Sequence, residues 1–174
     1  MITINDATDL LAEHLGDSVR ARHSVFVGYL MRHLAGIIGE DPLLWEITGL
    51  CHDLDFVQTK WDRSRHGMLT AEWLEGDLPG VALLAIQSHD HRTGVRADSP
   101  LADALKLADA VAVGELDIGR DAMLAALGSG EPIVSLTEVL VQRPYLTRLI
   151  LDHAHKLSIS ALAIVEICEG APQQ

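Results

Sequence analysis

Residues 42 to 53, PLLWEITGLCHD, constrain this chain more than any other stretch. Between Pro42 and His52 they carry one charge, Glu46, so a helix built on them is apolar nearly all round and must be enclosed by other elements. Its last turn then delivers His52 and Asp53 into or beside the interior, where an uncompensated carboxylate is costly. Asp53 therefore requires a partner that neutralises it.

The enclosing elements read as helices. No alternating run rich in Val, Ile, Thr and aromatics is long enough to suggest a sheet, and nothing repeats. Helices are predicted from after Asn5 to about Leu15, from Ser18 to near Gly39, and from the Asp41-Pro42 cap through Asp53. Further helices are predicted at about 65–75, 80–91, after Ser99-Pro100, at 119–127, at 136–142 behind a Ser135…Glu138 capping box, and at 145–169. The expectation is an all-α, compact bundle of eight or so helices forming one domain over residues 1–174, with its longest irregular stretch at 55–64. On one face of the last helix lie Leu146, Ile150, Leu157 and Ile164, apolar enough to pack on the bundle or to serve as a homodimer contact.

At 174 residues the chain is long enough to bury about two thirds of its unfolded surface, so it needs no disulfide or metal merely to fold. A metal would be present for chemistry. Cys51 and Cys168 sit in apolar helical runs without CxxC spacing, and neither a secretory signal nor a long uninterrupted apolar segment is seen. A reduced, cytoplasmic protein with no membrane partner is expected. The net charge of −12 repels phosphate backbones at long range, so no nucleic-acid polymer is expected as a partner. Local basic clusters could still hold a small anion.

Histidines and aspartates at inward-facing helix positions form a series. In the second helix His23 falls in the middle of the stripe made by Val19, Phe26, Val27, Leu30, Leu34, Ile37 and Ile38. His52-Asp53 ends the apolar helix, His66-Gly67 opens the next, His89 ends VALLAIQSHDH, and Asp109 lies in LKLADAVAV. A His-Asp pair alone carries no signal, since about 0.8 are expected by chance in this composition and His89-Asp90 is another. The series carries it. Imidazole nitrogens and carboxylate oxygens are ligands for Fe, Mn, Zn or Mg, and facing helices of a bundle can bring them to one core site. Asp109 shares its face with Leu105 and Val113, with Lys106 as the alternative ion-pair partner. His89 and His91 stand about 200° apart on a helix, so His89, beside Ala82 and Ala85, is preferred as the ligand and His91 is left as a supporting group or further ligand. His153, on a stripe with Leu146, Leu149, Ile150 and Leu157, reads as a core histidine without a carboxylate, and His14 and His155 read as surface.

The order H…HD…H…H…D, in the segments CHDLDFVQT, RHG, AEWL, IQSHDH and LADAV, resembles the HD superfamily of metal-dependent phosphohydrolases, in particular its small bacterial HDIG-type members. The resemblance covers roughly residues 18–115, leaving helices at 116–170 to pack on that core. It implies an all-α fold in which His23, His52, Asp53 and Asp109 hold one divalent metal, while Asp53 bridges to a second held by His66 and by His89 or His91. Fe or Mn suits such a His-rich, carboxylate-bridged site best, with Zn or Mg as alternatives. Two departures stand out: Leu54-Asp55 replaces the family's Ile-Gly after the His-Asp pair, and Phe56 replaces the Glu of the nucleotidase branch. The His66 and His89 positions match two-metal branches instead, some of which act on dinucleoside polyphosphates and cyclic dinucleotides.

The implied activity is hydrolysis of a small, nucleotide-like phosphate ester or anhydride by metal-activated water. Catalytic roles fall to Asp53 and to Asp55 or His91 as proton acceptors, and Lys60, Arg63, Arg65 and Arg92, followed by Arg96, are placed to bind the phosphorylated substrate. Two other readings share the same ligand set: an HD-fold di-iron oxygenase, and a metal-binding regulatory module without turnover.

Overall fold

The computed structural model describes residues 1–174 as ten α-helices and no β-strand. In chain order they are α1 (Ile4–Leu15), α2 (Val19–Ile38), α3 (Pro42–Cys51), α4 (Met68–Trp73), α5 (Gly80–Ser88), α6 (Pro100–Ile118), α7 (Arg120–Leu127), α8 (Pro132–Val139), α9 (Tyr145–Lys156) and α10 (Ala161–Glu169). The all-α expectation holds. None of these helices is long and apolar enough to cross a membrane.

Local chemistry sets the main boundaries. Thr3 and Asp6 close a capping box on α1, Ser18 accepts from the Ala21 N–H at the start of α2, and Gly39 ends α2 in the left-handed region at φ 81°. Asp41 accepts from the Leu43 and Leu44 N–H groups with Pro42 in the first helical turn, and Ser99-Pro100 does the same for α6.

Three boundaries depart from the sequence reading. The predicted 145–169 helix is two helices, broken where Ser158 takes φ 57° and Ser160 caps α10 by accepting from Ala163 N–H. In α8 no Ser135…Glu138 box forms, because Pro132 starts the helix a turn earlier and the Ser135 hydroxyl pairs with Ser129 Oγ at 2.9 Å. The predicted 80–91 helix stops at Ser88, and a short 3₁₀ turn over His91–Thr93 follows, capped by Asp90.

One apolar cluster of 43 buried residues runs through all the main helices. α3 lies at its centre, with Trp45, Ile47, Leu50 and Cys51 buried together. Its approach to α2 is set by two glycines: a Cβ added at Gly49 would lie 2.8 Å from Gly28 Cα, and one added at Gly28 would lie 3.0 Å from Leu50 Cγ. The helices touch backbone to backbone there, which brings the C-terminus of α3 against the middle of α2.

Gly49→Ala should therefore push α3 away from α2 and destabilise the fold by about 1–3 kcal/mol. Chemical denaturation checks this, and a variant as stable as the parent would contradict the close crossing.

Candidate metal centre

The α2–α3 crossing places His23 opposite the end of α3, where His52 is the cap residue and Asp53 follows. Asp109 comes from α6, His89 caps the end of α5, and His66 follows the 3₁₀ turn Arg63–Arg65. Gly67, at φ 78°, makes the last approach possible: a Cβ there would sit 2.5 Å from the Ile86 carbonyl oxygen and 3.3 Å from His89 Cε1. His66 and His89 consequently meet with ring centroids 4.9 Å apart, and His52 lies 5.1 Å from His89. Six side chains from five segments converge.

Their polar atoms face one another at close range. His23 Nε2 is 3.0 Å from Asp109 Oδ1 and 3.8 Å from Asp53 Oδ2. His52 Nε2 is 3.5 Å from Asp53 Oδ2 and 3.8 Å from Asp109 Oδ1. On the other side of the Asp53 carboxylate, Oδ1 lies 2.9 Å from His66 Nε2 and 3.6 Å from His89 Nε2. Two ligands about 2.1 Å from one ion lie about 3.0 Å apart at a right angle and about 4.2 Å apart in line. Nearly every one of these separations falls in that interval, and His66–Asp53 is just short of it. His23, His52 and Asp109 form one group able to hold an ion, and His52, Asp53 and His89 form another.

Ring orientation is fixed from behind. His52 Nδ1 donates to the Gly49 carbonyl at 2.7 Å and His89 Nδ1 to the Ile86 carbonyl at 2.6 Å, since a carbonyl can only accept. In the neutral rings both Nε2 lone pairs then point at carboxylate oxygens, and the fully buried His52 Nε2 has no hydrogen-bond partner. Lone pairs aimed at carboxylates repel unless a proton or a cation lies between them. This donor set, oriented and electron-rich, fits a divalent metal.

Titration behaviour reflects the same crowding. Burial opposes ionisation of Asp53, but His52, the neighbouring His66 and His89, and Arg20 outweigh it and hold the carboxyl well below its usual range. Asp109 is likewise held low against burial by His23 and His52. Burial pushes His23 down, whereas the two aspartates raise His52 despite its burial. His66 is raised to about 9, because hydrogen bonds to Asp53 and Asp55 exceed the effect of burial.

Asp55 does not face the centre. Its Oδ1 accepts from His66 Nδ1 at 2.8 Å, its Oδ2 accepts from the Thr70 N–H at 3.2 Å, and its own N–H donates to Thr70 Oγ1 at 3.1 Å. With both oxygens engaged behind His66, the expected role as proton acceptor is corrected to that of a group orienting His66. His91 is not among the converging atoms: the helix ends before it, and its side chain, 90 % exposed, stands on the wall of the cavity above them.

A cavity of about 390 Å³ opens over the centre. Of the expected basic residues, Arg63 and Arg92 line it, while Lys60 turns outward onto Trp61 and Arg65 is exposed, so neither reaches it. Arg20 was missed in the sequence. It lies three residues before His23 on the same helix, a spacing that gives it the same face, and its Nη1 donates to Asp53 Oδ2 at 2.9 Å. Arg20 and Arg63 both lie over the Phe56 ring, at 4.0 and 4.1 Å from its centroid. Arg92 is tied to Asp90, but Arg63 Nη1 is buried and unpartnered.

Compared with protein-family models, residues 20–114 match the HD domain. Neither a curated protein nor a solved structure matches the chain.

Since His66 is raised to about 9, it is protonated at pH 7.5 in metal-free protein and must lose that proton to coordinate. Metal added to the metal-free protein at pH 7.5 should release at least about one proton per site. Apparent affinity should rise with pH up to about 9 and level off above it. Calorimetry in two buffers of different ionisation enthalpy checks this, and uptake without proton release would contradict the assignment of His66.

Proposed function

The chain belongs to the HD domain family, and we propose that within it this protein is a metal-dependent phosphohydrolase acting on a small, nucleotide-like phosphate ester or anhydride. His23, His52, Asp53 and Asp109 would hold one ion, with Asp53 shared toward a second held by His66 and His89. Fe or Mn suits these donors best. Divalent ions in such a site supply Lewis acidity toward a phosphoryl oxygen and lower the pKa of water toward neutrality.

The observation that favours phosphate is the rim above the carboxylates. Arg63 offers a buried, unpartnered Nη1, and Arg20 and Arg92 stand close enough to lower its proton affinity alongside burial. Three guanidiniums crowded at one mouth, with a single aromatic ring between two of them, are stabilised by a multivalent anion through charge-assisted hydrogen bonds. In this reading Arg63 orients the phosphoryl group, Phe56 holds the two guanidiniums apart, and Asp55 keeps His66 facing the shared carboxylate.

Asp53→Ala should abolish both metal retention and phosphate release from a panel of nucleotides and phosphate esters assayed with Mn or Mg. Unchanged metal stoichiometry in that variant would overturn the site. Substrate-dependent oxygen uptake by iron-loaded protein, without phosphate release, would overturn the hydrolase reading in favour of the oxygenase. Arg63→Met should raise KM about tenfold or more with a smaller change in kcat, as loss of one charge-assisted contact to phosphate requires.

A further inference from the structure

A second cavity, of about 510 Å³, adjoins the one over the metal centre, and His89, His91, Tyr145 and Leu149 belong to the walls of both. Its far side is made by the 95–97 segment and by Lys106 and His153. Residues from Val95, Ala97 and Leu149 give an apolar lining, and Arg96 and Lys106 add two cations.

The charges around this cavity do not cancel. No carboxylate forms part of its wall, and Asp103, which reaches His153 from behind, has its Oδ1 taken by His153 Nδ1 at 2.8 Å and by Lys156 Nζ at 2.9 Å. This also corrects the sequence reading of His153 as a core histidine without a carboxylate. Lys106, half-buried, forms no ion pair of its own, since Asp109 turns to His23 instead. Burial lowers the Lys106 ammonium, Asp103 opposes that, and Lys156 adds to it, as expected of a cation short of a counter-ion. Arg96 is exposed at the same opening and is likewise unpaired.

Resting on the phosphohydrolase reading, we propose that this second cavity is a subsite for the far end of the substrate: an anionic group, phosphate or carboxylate, carried on a short spacer from the phosphate at the metal centre and bound by Lys106 and Arg96. The spacer would cross the common wall at Tyr145 and Leu149, where an apolar stretch is accommodated. Substrates of this class are bis-anionic, with two charged groups separated by a carbon skeleton or a nucleoside, rather than simple monoesters. Lys106 and Arg96 contact the remote group, not the reacting phosphorus.

The test uses phosphonates, whose P–C bond is not hydrolysed. Protein purified without chelator, its metal content measured, is titrated calorimetrically with n-alkyl monophosphonates and with α,ω-alkane bisphosphonates of increasing chain length. A bisphosphonate of matching length should bind about tenfold or more tightly than the monophosphonate of equal length. That gain should disappear in Lys106→Met and persist in Lys106→Arg, while the monophosphonates bind both variants as they bind the parent, which also shows that the variants fold. Monophosphonates that bind without any gain for the bisphosphonates at any length would overturn the subsite and leave the phosphohydrolase reading standing. A gain that survives Lys106→Met would overturn the assignment of Lys106. If neither series binds, both readings fall together.

Discussion

One carboxylate organises this molecule. Asp53 is 1 % exposed just past the end of α3, a helix with a single charge, and a bare anion in that position would be among the costliest things a small domain could bury. Its surroundings answer that cost from every side. Arg20 comes from α2, His52 from the end of α3, His66 from the turn before α4, and His89 from the end of α5. The chain cannot place α3 at its centre without also bringing these partners to its end.

Each of the three histidines is in turn held from behind, and those groups explain residues that otherwise look idle. The Gly49 carbonyl fixes His52, the Ile86 carbonyl fixes His89, and Asp55 fixes His66 while also taking the Thr70 N–H, a free donor of the first turn of α4. Gly49 acts twice, once through its carbonyl and once through its missing side chain against Gly28. Gly67 does the equivalent for the pair His66 and His89. Backbone packing and ligand orientation are therefore one problem, solved at three glycine or carbonyl positions.

The floor of the site was legible in the sequence because burial and charge conflict there. His23 inside an apolar stripe, Asp109 among aliphatics and His52-Asp53 after a helix with a single charge are each costly unless paired, and cost can be read from neighbours along the chain. The rim was not legible in the same way. Arg20, exposed in part and one of 13 basic residues, stands out only once the helix face it shares with His23 is aimed at Asp53. Lys60 and Arg65 lie closer in sequence to the His-Asp pair than Arg92 does, yet they point outward, because a loop assigns its side chains to either side without a periodic rule. The break at 157–160 was hidden for a different reason: the apolar spacing of α9 and α10 continues across it, and only the backbone of Ser158 turns aside. Asp55 was noticed as a departure from the family pattern, but its direction is set by Thr70, fifteen residues on, which no local rule reaches.

Floor and rim are complementary in a stronger sense than adjacency. In the floor, the oriented Nε2 atoms of His52 and His89 aim at carboxylate oxygens, an arrangement that a cation between them would stabilise. At the rim, Arg20, Arg63 and Arg92 crowd one another, with Arg20 paired to Asp53 and Arg92 to Asp90. A cation held by His52, Asp53 and His89 would compete with Arg20 for the Asp53 carboxylate and so leave that guanidinium freer for an anion. An anion at the rim would, by the same linkage, make the floor a better host for a cation. The coupling acts across a few ångströms in a recess partly shielded from water, where Coulomb terms are several times larger than at the surface. The chain as a whole carries a net charge of −12, so this cluster of guanidiniums is a local exception to the overall sign.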